Sequence, residues 1–573
     1  MLPAREPAQL QQLNQVGTRL SIVAKRWIFL GVAGIAVIAF GIRCLRLADP
    51  NHYYLYSPDS YFWHWLAQRV MAGEGPPLGS TGINYTIHSG LAYPMAYIAK
   101  AASAAFNLSP AESLSLVAKF LPPTLAVIAL IIMYIGVSRI WSRRVALFSA
   151  LAWALMFLPV SITAGGYTDR DGLTALLLLI GVLLFYFLKG YRVYIGKVNV
   201  GWLLTGFGVL GVEGLLYLEW GLVGAFLLIV VLLVYAVLKV FLEYVAPLDT
   251  VPNARLSIST AARKLEWPAL GFIACVNIAG LLLYYHEFAH WLTVLWVALR
   301  SSGKPSGGGT AEEMGLTFSD IVAFQFFLIP IALGLYRAWK SKNDAWILFS
   351  GWFVVFGVVS LIAWRFLLYS IPAICVIAGL GLGYVWEWRG RGSAQLTRTL
   401  VVAVLLILLL ASSFISAARL NSQPTQTADK DWQEAMAYLR ESTPPDAVVM
   451  SQWSPGYWIL DLGQREPFVD NGYYGYDVKR LRDVGLVYLA TNASDAAQIM
   501  AKDGVDYLIF STDDRDVAEP IMQWAGLEGI RTFPSNSLVM QTLSGDFVSG
   551  GGLDVVYQNK KVVILELSIS QVQ

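Results

Sequence analysis

The sequence predicts a multi-pass α-helical membrane domain followed by a soluble α/β domain. The 573 residues are 56% hydrophobic and only 14% charged, whereas soluble proteins carry about a quarter charged residues. Runs such as 173–188, 221–238 and 400–418 contain no charged residue and approach or reach the length that crosses a bilayer. After about Leu420, charged residues and prolines return at the frequency of a soluble protein, over enough chain for one compact domain.

Apolar runs along the N-terminal part predict about eleven membrane-spanning helices. The runs lie at roughly 27–45, 119–138, 145–163, 172–188, 201–218, 220–242, 266–285, 319–338, 345–363, 366–386 and 400–418. The first run reaches bilayer length and is not followed by a small-residue cleavage site. We therefore expect it to be a retained signal-anchor.

Basic residues in the short loops predict how these helices are oriented. If the helices alternate, every Lys/Arg cluster falls on one face, which we expect to be cytoplasmic. The clusters lie within 5–26, 139–144, 189–197, 255–264, 337–342 and 389–398. The opposite face receives external loops 46–118, 163–171 and 300–318. We expect a transmembrane domain over 1–420 and an extracytoplasmic domain over 421–573, in a plasma (inner) membrane with the N-terminus in the cytoplasm.

The C-terminal segment shows the alternation typical of an α/β domain. Strand-like runs at 447–451, 507–511 and 562–567 are separated by helical patterns such as 431–442 and 496–502. Period-2 and period-3.6 patterns that alternate in this way indicate a sheet covered by helices.

Charge and cysteine content argue against a nucleic-acid partner and against a disulfide or zinc site. The net charge of +2 and the lack of Lys/Arg clusters interleaved with aromatics argue against a nucleic-acid partner. Cys44, Cys275 and Cys375 all lie in apolar runs, where a thiol is more often a small core hydrophobe than a ligand. No disulfide or zinc site is predicted.

Acidic residues in the predicted external loops suggest a metal site. Asp59 lies in Ser-Pro-Asp-Ser-Tyr, Asp169 and Asp171 in Tyr-Thr-Asp-Arg-Asp-Gly, and Glu313 in Thr-Ala-Glu-Glu. Carboxylates drawn together on one face repel one another unless a cation neutralises them. Hard oxygen ligands suit Mg²⁺ or Mn²⁺. The alternative is that loops are simply where acidic residues commonly lie.

Four motifs, in the same order along the chain, resemble those of the oligosaccharyltransferase catalytic subunit family. Residues 57–69 resemble its first external acidic motif, and 165–173 resemble its Gly-Tyr-x-Asp-x-Asp element. Residues 310–313 resemble the Thr-x-x-Glu of its fifth external loop, and 364–372 resemble its Arg-Phe-x-x-Tyr-x-x-Pro helix start. The resemblance implies a GT-C membrane fold with thirteen helices. It also implies transfer of an oligosaccharide from a polyprenyl-(pyro)phosphate donor in the membrane lipid to asparagine of an acceptor polypeptide, by an enzyme that acts as a single subunit in bacteria and archaea.

The resemblance also implies roles for individual residues. Asp59 and Glu313 would each accept one N–H of the acceptor amide and twist it out of conjugation, against a barrier of roughly 18–20 kcal/mol for a backbone peptide. Arg365, with Tyr369, would bind the donor pyrophosphate, because a guanidinium keeps its charge. The alternative for Arg365 is a snorkelling anchor. The Mn²⁺ or Mg²⁺ ion would be held by Asp59, Asp169, Asp171 and Glu313.

The family's acceptor-binding motif, Trp-Trp-Asp-Tyr-Gly, is altered in this chain. Residues 451–459 read Ser-Gln-Trp-Ser-Pro-Gly-Tyr-Trp-Ile, so Gln452, Trp453 and Ser454 are the acceptor-binding candidates. Ser454 stands where the family has an aspartate, and a hydroxyl binds a second hydroxyl more weakly than a carboxylate does. An alternative acceptor, a hydroxyl, lipid or cell-wall polymer, therefore stays open. The segment Asp514–Met522 is a degenerate candidate for the helix motif that packs beside this site in the family.

Two further interpretations are less favoured. A transporter would carry acids midway along its helices, whereas these acids lie in predicted loops or at helix ends. The cluster His286, Glu287 and His290 has metal-ligand spacing, but an amphiphilic helix at the membrane surface explains it more simply.

Overall fold

A computed structural model shows a helical N-terminal part and a C-terminal part built on a mixed sheet, which confirms the predicted fold class. The structure describes residues 29–48, 55, 58–74, 90–189, 193–195, 198–220, 222–241, 260–283, 328–340, 344–361, 366–387, 400–401, 403–404, 407, 411, 428–470, 478–527 and 529–568.

Most helices of the N-terminal part coincide with predicted apolar runs. The helices are α1 (Phe29–Cys44), α2 (Pro58–Ala72), α3 (Ala92–Phe106), α4 (Pro110–Ile140), α5 (Arg143–Leu155), α6 (Phe157–Ser161), α7 (Arg170–Leu188), α8 (Gly201–Trp220), α9 (Leu222–Val240), α10 (Thr260–Leu283), α11 (Leu328–Lys340), α12 (Ala345–Val359) and α13 (Phe366–Glu387). Helices α2 and α3 lie within the predicted external loop 46–118. The start of the predicted run 319–338 and most of the run 400–418 lie outside the described residues. Within the described chain, α4, α7, α8 and α13 are long and apolar enough to cross a membrane. Shorter apolar helices lie in α1, α9, α10 and α12. The chain is a multi-pass membrane protein.

One predicted span, 145–163, is wrong as a single helix. Helix α5 ends at Leu155, and Met156 has extended backbone angles (φ −68°, ψ 143°) before α6 begins. The physical reason is Pro159, which has no N–H to donate to the carbonyl of Leu155 and would interrupt a continuous helix.

Glycines let the membrane helices approach closely. A Cβ atom on Gly381 of α13 would overlap the carbonyl oxygen of Pro330 in α11, and one on Gly334 of α11 would overlap the carbonyl oxygen of Ile377. Small residues at such crossings allow backbone-to-backbone contact, a common way to pack helices in lipid. Helix α13 is accordingly almost entirely buried.

The C-terminal part is built on a five-stranded mixed sheet. Its elements are α14 (Lys430–Ser442), β3 (Val448–Met450), α15 (Gly456–Asp461), β4 (Glu466–Pro467), α16 (Val478–Leu489), α17 (Ala493–Asp503), β5 (Tyr507–Ser511), α18 (Ala518–Trp524), α19 (Leu538–Ser544), β6 (Leu553–Gln558) and β7 (Val562–Leu567), after a two-stranded hairpin β1 (Tyr194–Ile195) and β2 (Val198–Asn199) in the N-terminal part. The strand order is β4-β3-β5-β7-β6. Strand β3 pairs in parallel with β4 and β5, and β7 pairs antiparallel with β5 and β6. The three predicted strands correspond to β3, β5 and β7, and the two predicted helices correspond to α14 and α17.

The two parts share one hydrophobic core. Tyr61 and Trp63 of α2 are buried in the same cluster as Trp432 of α14 and Trp458 of α15. The rings of Trp432 and Trp458 meet edge to face at 5.1 Å between centroids, a favourable aromatic arrangement. The shared core fixes α15, and with it the segment 452–454, against α2, the helix that carries Asp59 in its first turn.

Candidate functional site

The loop 165–169, which leads into α7, packs against two membrane helices. Gly165 N–H donates to the carbonyl of Arg43 at 2.8 Å, and Gly166 N–H donates to the carbonyl of Lys119 at 3.0 Å. Gly166 has a φ of 79°, which favours glycine. A Cβ atom on Gly165 would lie 2.6 Å from Cδ1 of Leu47, so a larger residue would push the loop away.

A buried arginine holds the chain that leads into this loop. Arg43 is 1% exposed; its Nε donates to Thr163 Oγ1 at 2.6 Å, and its Nη2 donates to the carbonyl of Trp153 at 3.0 Å. Its Nη1 donates to the carbonyls of Ala39 and Ala154. The guanidinium therefore satisfies carbonyls at the C-terminus of α5 that have no partner within the helix. Sequence reasoning missed Arg43, although a lone arginine in an apolar run is itself a signal.

Asp169 and Asp171 lie at the N-terminus of α7. Asp169 is the N-cap, with extended backbone (φ −126°, ψ 159°), and its carboxylate accepts the N–H of Arg170 at 2.6 Å. Asp171 follows in the first turn, and both residues are buried (5% and 3% exposed). Carboxylates are stabilised here by the partial positive charge of the helix N-terminus.

Residues from three of the predicted motifs meet at this helix start. Thr168 N–H donates to Ser60 Oγ at 2.9 Å, next to Asp59 in the first turn of α2. The hydroxyl of Tyr369 in α13 donates to Asp171 Oδ1 at 3.4 Å. The structure therefore connects the elements that carry Asp59, the Asp-x-Asp pair and Tyr369. Glu313 and Arg365, and the cluster His286, Glu287 and His290, lie outside the described residues.

The predicted metal site stays a prediction. Among the residues that the structure describes, no group of three or more His, Cys, Asp or Glu side chains could hold a metal ion. The donor chemistry nevertheless fits a hard cation, since Asp169 and Asp171 are two buried carboxylates at one helix start, and carboxylate oxygens are the ligands that Mg²⁺ and Mn²⁺ take.

The acceptor-binding candidates occupy a tight turn after β3. Gln452 is 3% exposed, and its side-chain oxygen accepts the N–H of Ser454 at 2.7 Å. Its own N–H donates to Tyr488 Oη at 2.8 Å. The amide oxygen of Gln452 is therefore turned onto its own loop. The ring of Trp453 meets that of Trp524 at 4.7 Å and 65°. Trp524 ends α18, so the degenerate segment Asp514–Met522 leads into the helix whose end packs beside the candidate acceptor site.

We expect a pH-dependent stability that originates at Asp514, behind this turn. Burial raises the pKa of Asp514 to about 7, although Ser511 donates two hydrogen bonds to its carboxylate. Because the folded pKa is above the unfolded value of 3.8, this contribution is complete below about pH 4 and is lost as the pH rises through 7. Asp514→Asn should remove a pH dependence on the order of 4 kcal/mol, measured as the melting temperature of the purified protein between pH 4.5 and 8. The exposed Asp516→Asn is the matched control, and equal pH profiles for the two variants would contradict the assignment.

Gly456 is expected not to tolerate a side chain. A Cβ atom there would lie 2.5 Å from Cα of Asp470 and 2.6 Å from the carbonyl oxygen of Val469. We expect Gly456→Ala to lower the stability of the C-terminal part by about 1–3 kcal/mol, the usual cost of overpacking. Thermal unfolding measures the effect. Gly357→Ala, where the added Cβ meets open space, should be neutral, and a similar shift for both variants would exclude the steric explanation.

Comparison with known proteins decides the family. A family model described as "Dpy19: Q-cell neuroblast polarisation" matches residues 218–515, just over half of the chain. The chain belongs to the Dpy19 family. The matched segment of this Dpy19 member runs from the end of α8, through the membrane helices α9–α13, to Asp514 and Arg515 in the C-terminal part.

The resemblance to oligosaccharyltransferase catalytic subunits is also confirmed. A 79-residue segment of this Dpy19 member, 14% of the chain, is 39% identical to the stt-3 subunit of the dolichyl-diphosphooligosaccharide–protein glycosyltransferase of Caenorhabditis elegans. That segment spans 10% of the relative's length.

Solved structures share the fold at low sequence identity. The archaeal oligosaccharyltransferase AglB from Archaeoglobus fulgidus, in complex with an inhibitory peptide and a dolichol-phosphate, superposes with a TM-score of 0.68 at 15% identity, covering 88% of this chain and 72% of that one. An Archaeoglobus fulgidus oligosaccharyltransferase is also known in complex with zinc and sulfate (TM-score 0.61, 16% identity, 87% and 70% covered). ArnT from Cupriavidus metallidurans in the apo state gives a TM-score of 0.53 at 14% identity, covering 96% and 99%. This Dpy19 member therefore has the GT-C membrane fold.

Proposed function

We propose that the protein is a glycosyltransferase that moves an oligosaccharide from a polyprenyl-(pyro)phosphate donor to asparagine of acceptor proteins at the outer membrane face. The observation that carries the proposal is the meeting of Ser60, Thr168, Asp171 and Tyr369 at the start of α7. This contact joins three motifs whose order along the chain matches that of oligosaccharyltransferase catalytic subunits. Two structural neighbours support the same choice of substrates. One is an Archaeoglobus fulgidus oligosaccharyltransferase tethered with an acceptor peptide that contains the NVT sequon, and the other is AglB in complex with an inhibitory peptide and a dolichol-phosphate.

In the proposed reaction, the chain's own residues prepare both substrates. Asp59 and Glu313 each accept one N–H of the acceptor amide, which reduces its conjugation and exposes the nitrogen lone pair. Arg365 stabilises the charge that develops on the pyrophosphate leaving group. Tyr369 binds the donor beside it and fixes Asp171 through its hydroxyl.

A divalent cation, Mn²⁺ or Mg²⁺, would be held by Asp59, Asp169, Asp171 and Glu313. When bound, it would supply Lewis-acid stabilisation of the leaving phosphate. The two aspartates at the start of α7 fit this role because they are buried and stay anchored by the helix terminus.

The proposed topology completes this assignment. Residues 1–420 form the transmembrane catalytic domain, with external loops 46–118, 163–171 and 300–318. Residues 421–573 form an extracytoplasmic domain, and the N-terminus is cytoplasmic at the plasma (inner) membrane. The shared core of α2, α14 and α15 supports a common side for the first external loop and the C-terminal part. We propose that one subunit is sufficient for transfer.

The decisive experiment is transfer by purified full-length protein. The protein is incubated with Mn²⁺, a polyprenyl-pyrophosphate-linked oligosaccharide and an Asn-x-Thr peptide, and mass spectrometry detects a glycan on asparagine. A Gln-x-Thr peptide and an Asp59→Asn variant are the negative controls. Product on a sequon-free acceptor, with none on the Asn-x-Thr peptide, would exclude asparagine as the acceptor.

A second candidate function keeps the donor and changes the acceptor to a hydroxyl, a lipid or a polymer. It is favoured by the turn at 452–454. There the side-chain oxygen of Gln452 accepts the N–H of Ser454, and Ser454 stands where the family has an aspartate. The two functions separate in the same assay when the peptide is replaced by hydroxylated lipid or glycan acceptors.

A further inference from the structure

Helix α15 joins the two halves of the candidate site. It begins directly after the turn that carries Gln452, Trp453 and Ser454, and it packs on α2, which has Asp59 in its first turn. The ring of Tyr457 lies 4.9 Å from that of Phe62, and the ring of Trp458 lies 6.4 Å from that of Tyr61. Apolar contacts of this kind bury area, but they do not set the angle between two short helices.

A hydrogen-bonded histidine–carboxylate pair lies within this apolar contact. Nδ1 of His64 in α2 is 2.9 Å from Oδ1 and 3.1 Å from Oδ2 of Asp461, the last residue of α15. The side chains are 15% and 2% exposed, and the two residues are 397 positions apart in the sequence. Burial disfavours the imidazolium, but the carboxylate of Asp461 outweighs this effect and raises the pKa of His64.

A buried hydrogen-bonded pair of this kind restricts the relative orientation of the two helices that carry it. A carboxylate that is almost completely buried is strongly disfavoured when its partner is removed, and both of its oxygens face the same imidazole nitrogen. The amide nitrogen of Gln68, one turn further along α2, lies 3.3 Å from that nitrogen and packs beside the ring, because Nδ1 gives its proton to the carboxylate. The pair therefore fixes α2 and α15 in one relative position.

We propose that His64 and Asp461 are positioning residues. They hold the acceptor-binding turn 452–454 at a fixed distance and orientation relative to Asp59. This inference rests on the proposed function, because it assigns Asp59 and the turn to one acceptor site. In this role, neither His64 nor Asp461 needs to contact substrate. The donor side, at Asp171 and Tyr369, lies on the membrane helices α7 and α13, neither of which carries a member of the pair.

Substitutions in the pair are expected to change KM for the peptide acceptor but not KM for the lipid-linked donor. In the full-length protein, His64→Gln and Asp461→Asn should each raise KM for the Asn-x-Thr peptide by at least tenfold, because the turn is no longer held in position. KM for the polyprenyl-pyrophosphate oligosaccharide should change less than twofold. The double variant His64→Gln/Asp461→Asn replaces a buried charge by a neutral amide pair that can hydrogen bond, so it should recover most of the peptide affinity.

Hydrogen exchange tests the same pair without an activity assay. In each single variant, amides of 456–461 should exchange at least tenfold faster, while β5 and β7 at the centre of the sheet keep wild-type rates. Glu74→Gln is the matched control, because it breaks the exposed Arg69–Glu74 pair at the end of α2 and should leave both exchange and KM unchanged.

The outcomes separate the inference from the proposed function. Wild-type protein that transfers nothing to the peptide contradicts the proposed function, whereas exchange still reports on the pair. Wild-type exchange at 456–461 in both single variants overturns the inference. So does an equal rise of both KM values, or a double variant as impaired as the single ones.

Discussion

Asp169→Asn is expected to reduce glycan transfer by on the order of 100-fold while leaving the start of α7 intact. Asparagine caps a helix about as well as aspartate, so the stability should change by less than ~0.5 kcal/mol. The substitution removes the negative charge proposed to hold the cation, and loss of one electrostatic contact in an active site typically costs on the order of 100-fold in rate. The measurement combines initial transfer rates over a Mn²⁺ titration with a melting temperature.

Asp169→Ala provides the comparison that separates charge from capping. The alanine substitution removes both the negative charge and the N-cap. Glycan transfer should therefore fall to the same extent as in Asp169→Asn, and the protein should also be destabilised by about 1 kcal/mol. The exposed Asp516→Asn controls for the loss of any carboxylate. Normal transfer by Asp169→Asn would remove Asp169 from the proposed metal-binding set.

Arg43→Gln is expected to have the largest effect on stability. The substitution removes a charged group that donates to Thr163 and to the carbonyls of Ala39, Trp153 and Ala154. Hydrogen bonds to charged groups contribute about 1.5–3 kcal/mol each, and buried acceptors left without donors cost about 1–3 kcal/mol. Since glutamine replaces only part of this network, we expect a loss on the order of 3–5 kcal/mol, measured by thermal unfolding in detergent.

The control for Arg43 is an arginine without such a network. Arg139 lies exposed in the last turn of α4, and Arg139→Gln should shift the melting temperature little. Arg43→Lys distinguishes charge from geometry, because a single ammonium cannot reach acceptors on all sides. A lysine variant as stable as the wild type would show that the charge alone is sufficient.

The elements that the sequence predicts well are those with a local signal. The strands β3, β5 and β7 are buried and rich in β-branched and aromatic residues. Asp169 indicates the start of α7 because aspartate is a common N-cap residue. By contrast, β4 has only two residues, and β6 is an edge strand with an irregular burial pattern. Neither of them gives a clear periodicity.

Contacts between distant residues could not be predicted in this way. The partners of Arg43 lie more than 100 positions away, apart from Ala39, and His64 meets Asp461 across most of the chain. Each residue looks ordinary within its own segment, and only the packing of helices brings them together. The break between α5 and α6 at Met156 could not be predicted for a different reason. The apolar composition continues through it, and Pro159 is the signal that a helix is interrupted there.

That break has a consequence for the depth at which the chemistry takes place. Helix α5 has 13 residues and is about 20 Å long, shorter than the ~30 Å hydrocarbon layer. If α5 crosses from the cytoplasmic face as proposed, the break at Met156 lies below the outer lipid surface, where irregular backbone is tolerated only if its polar groups are satisfied by protein or water. The bonds from Gly165, Gly166 and Thr168 to the surrounding helices meet that requirement. With the proposed topology, the carboxylates at the start of α7 are expected to lie in a recess just below the lipid headgroups, within reach of the phosphates of the proposed membrane-anchored donor.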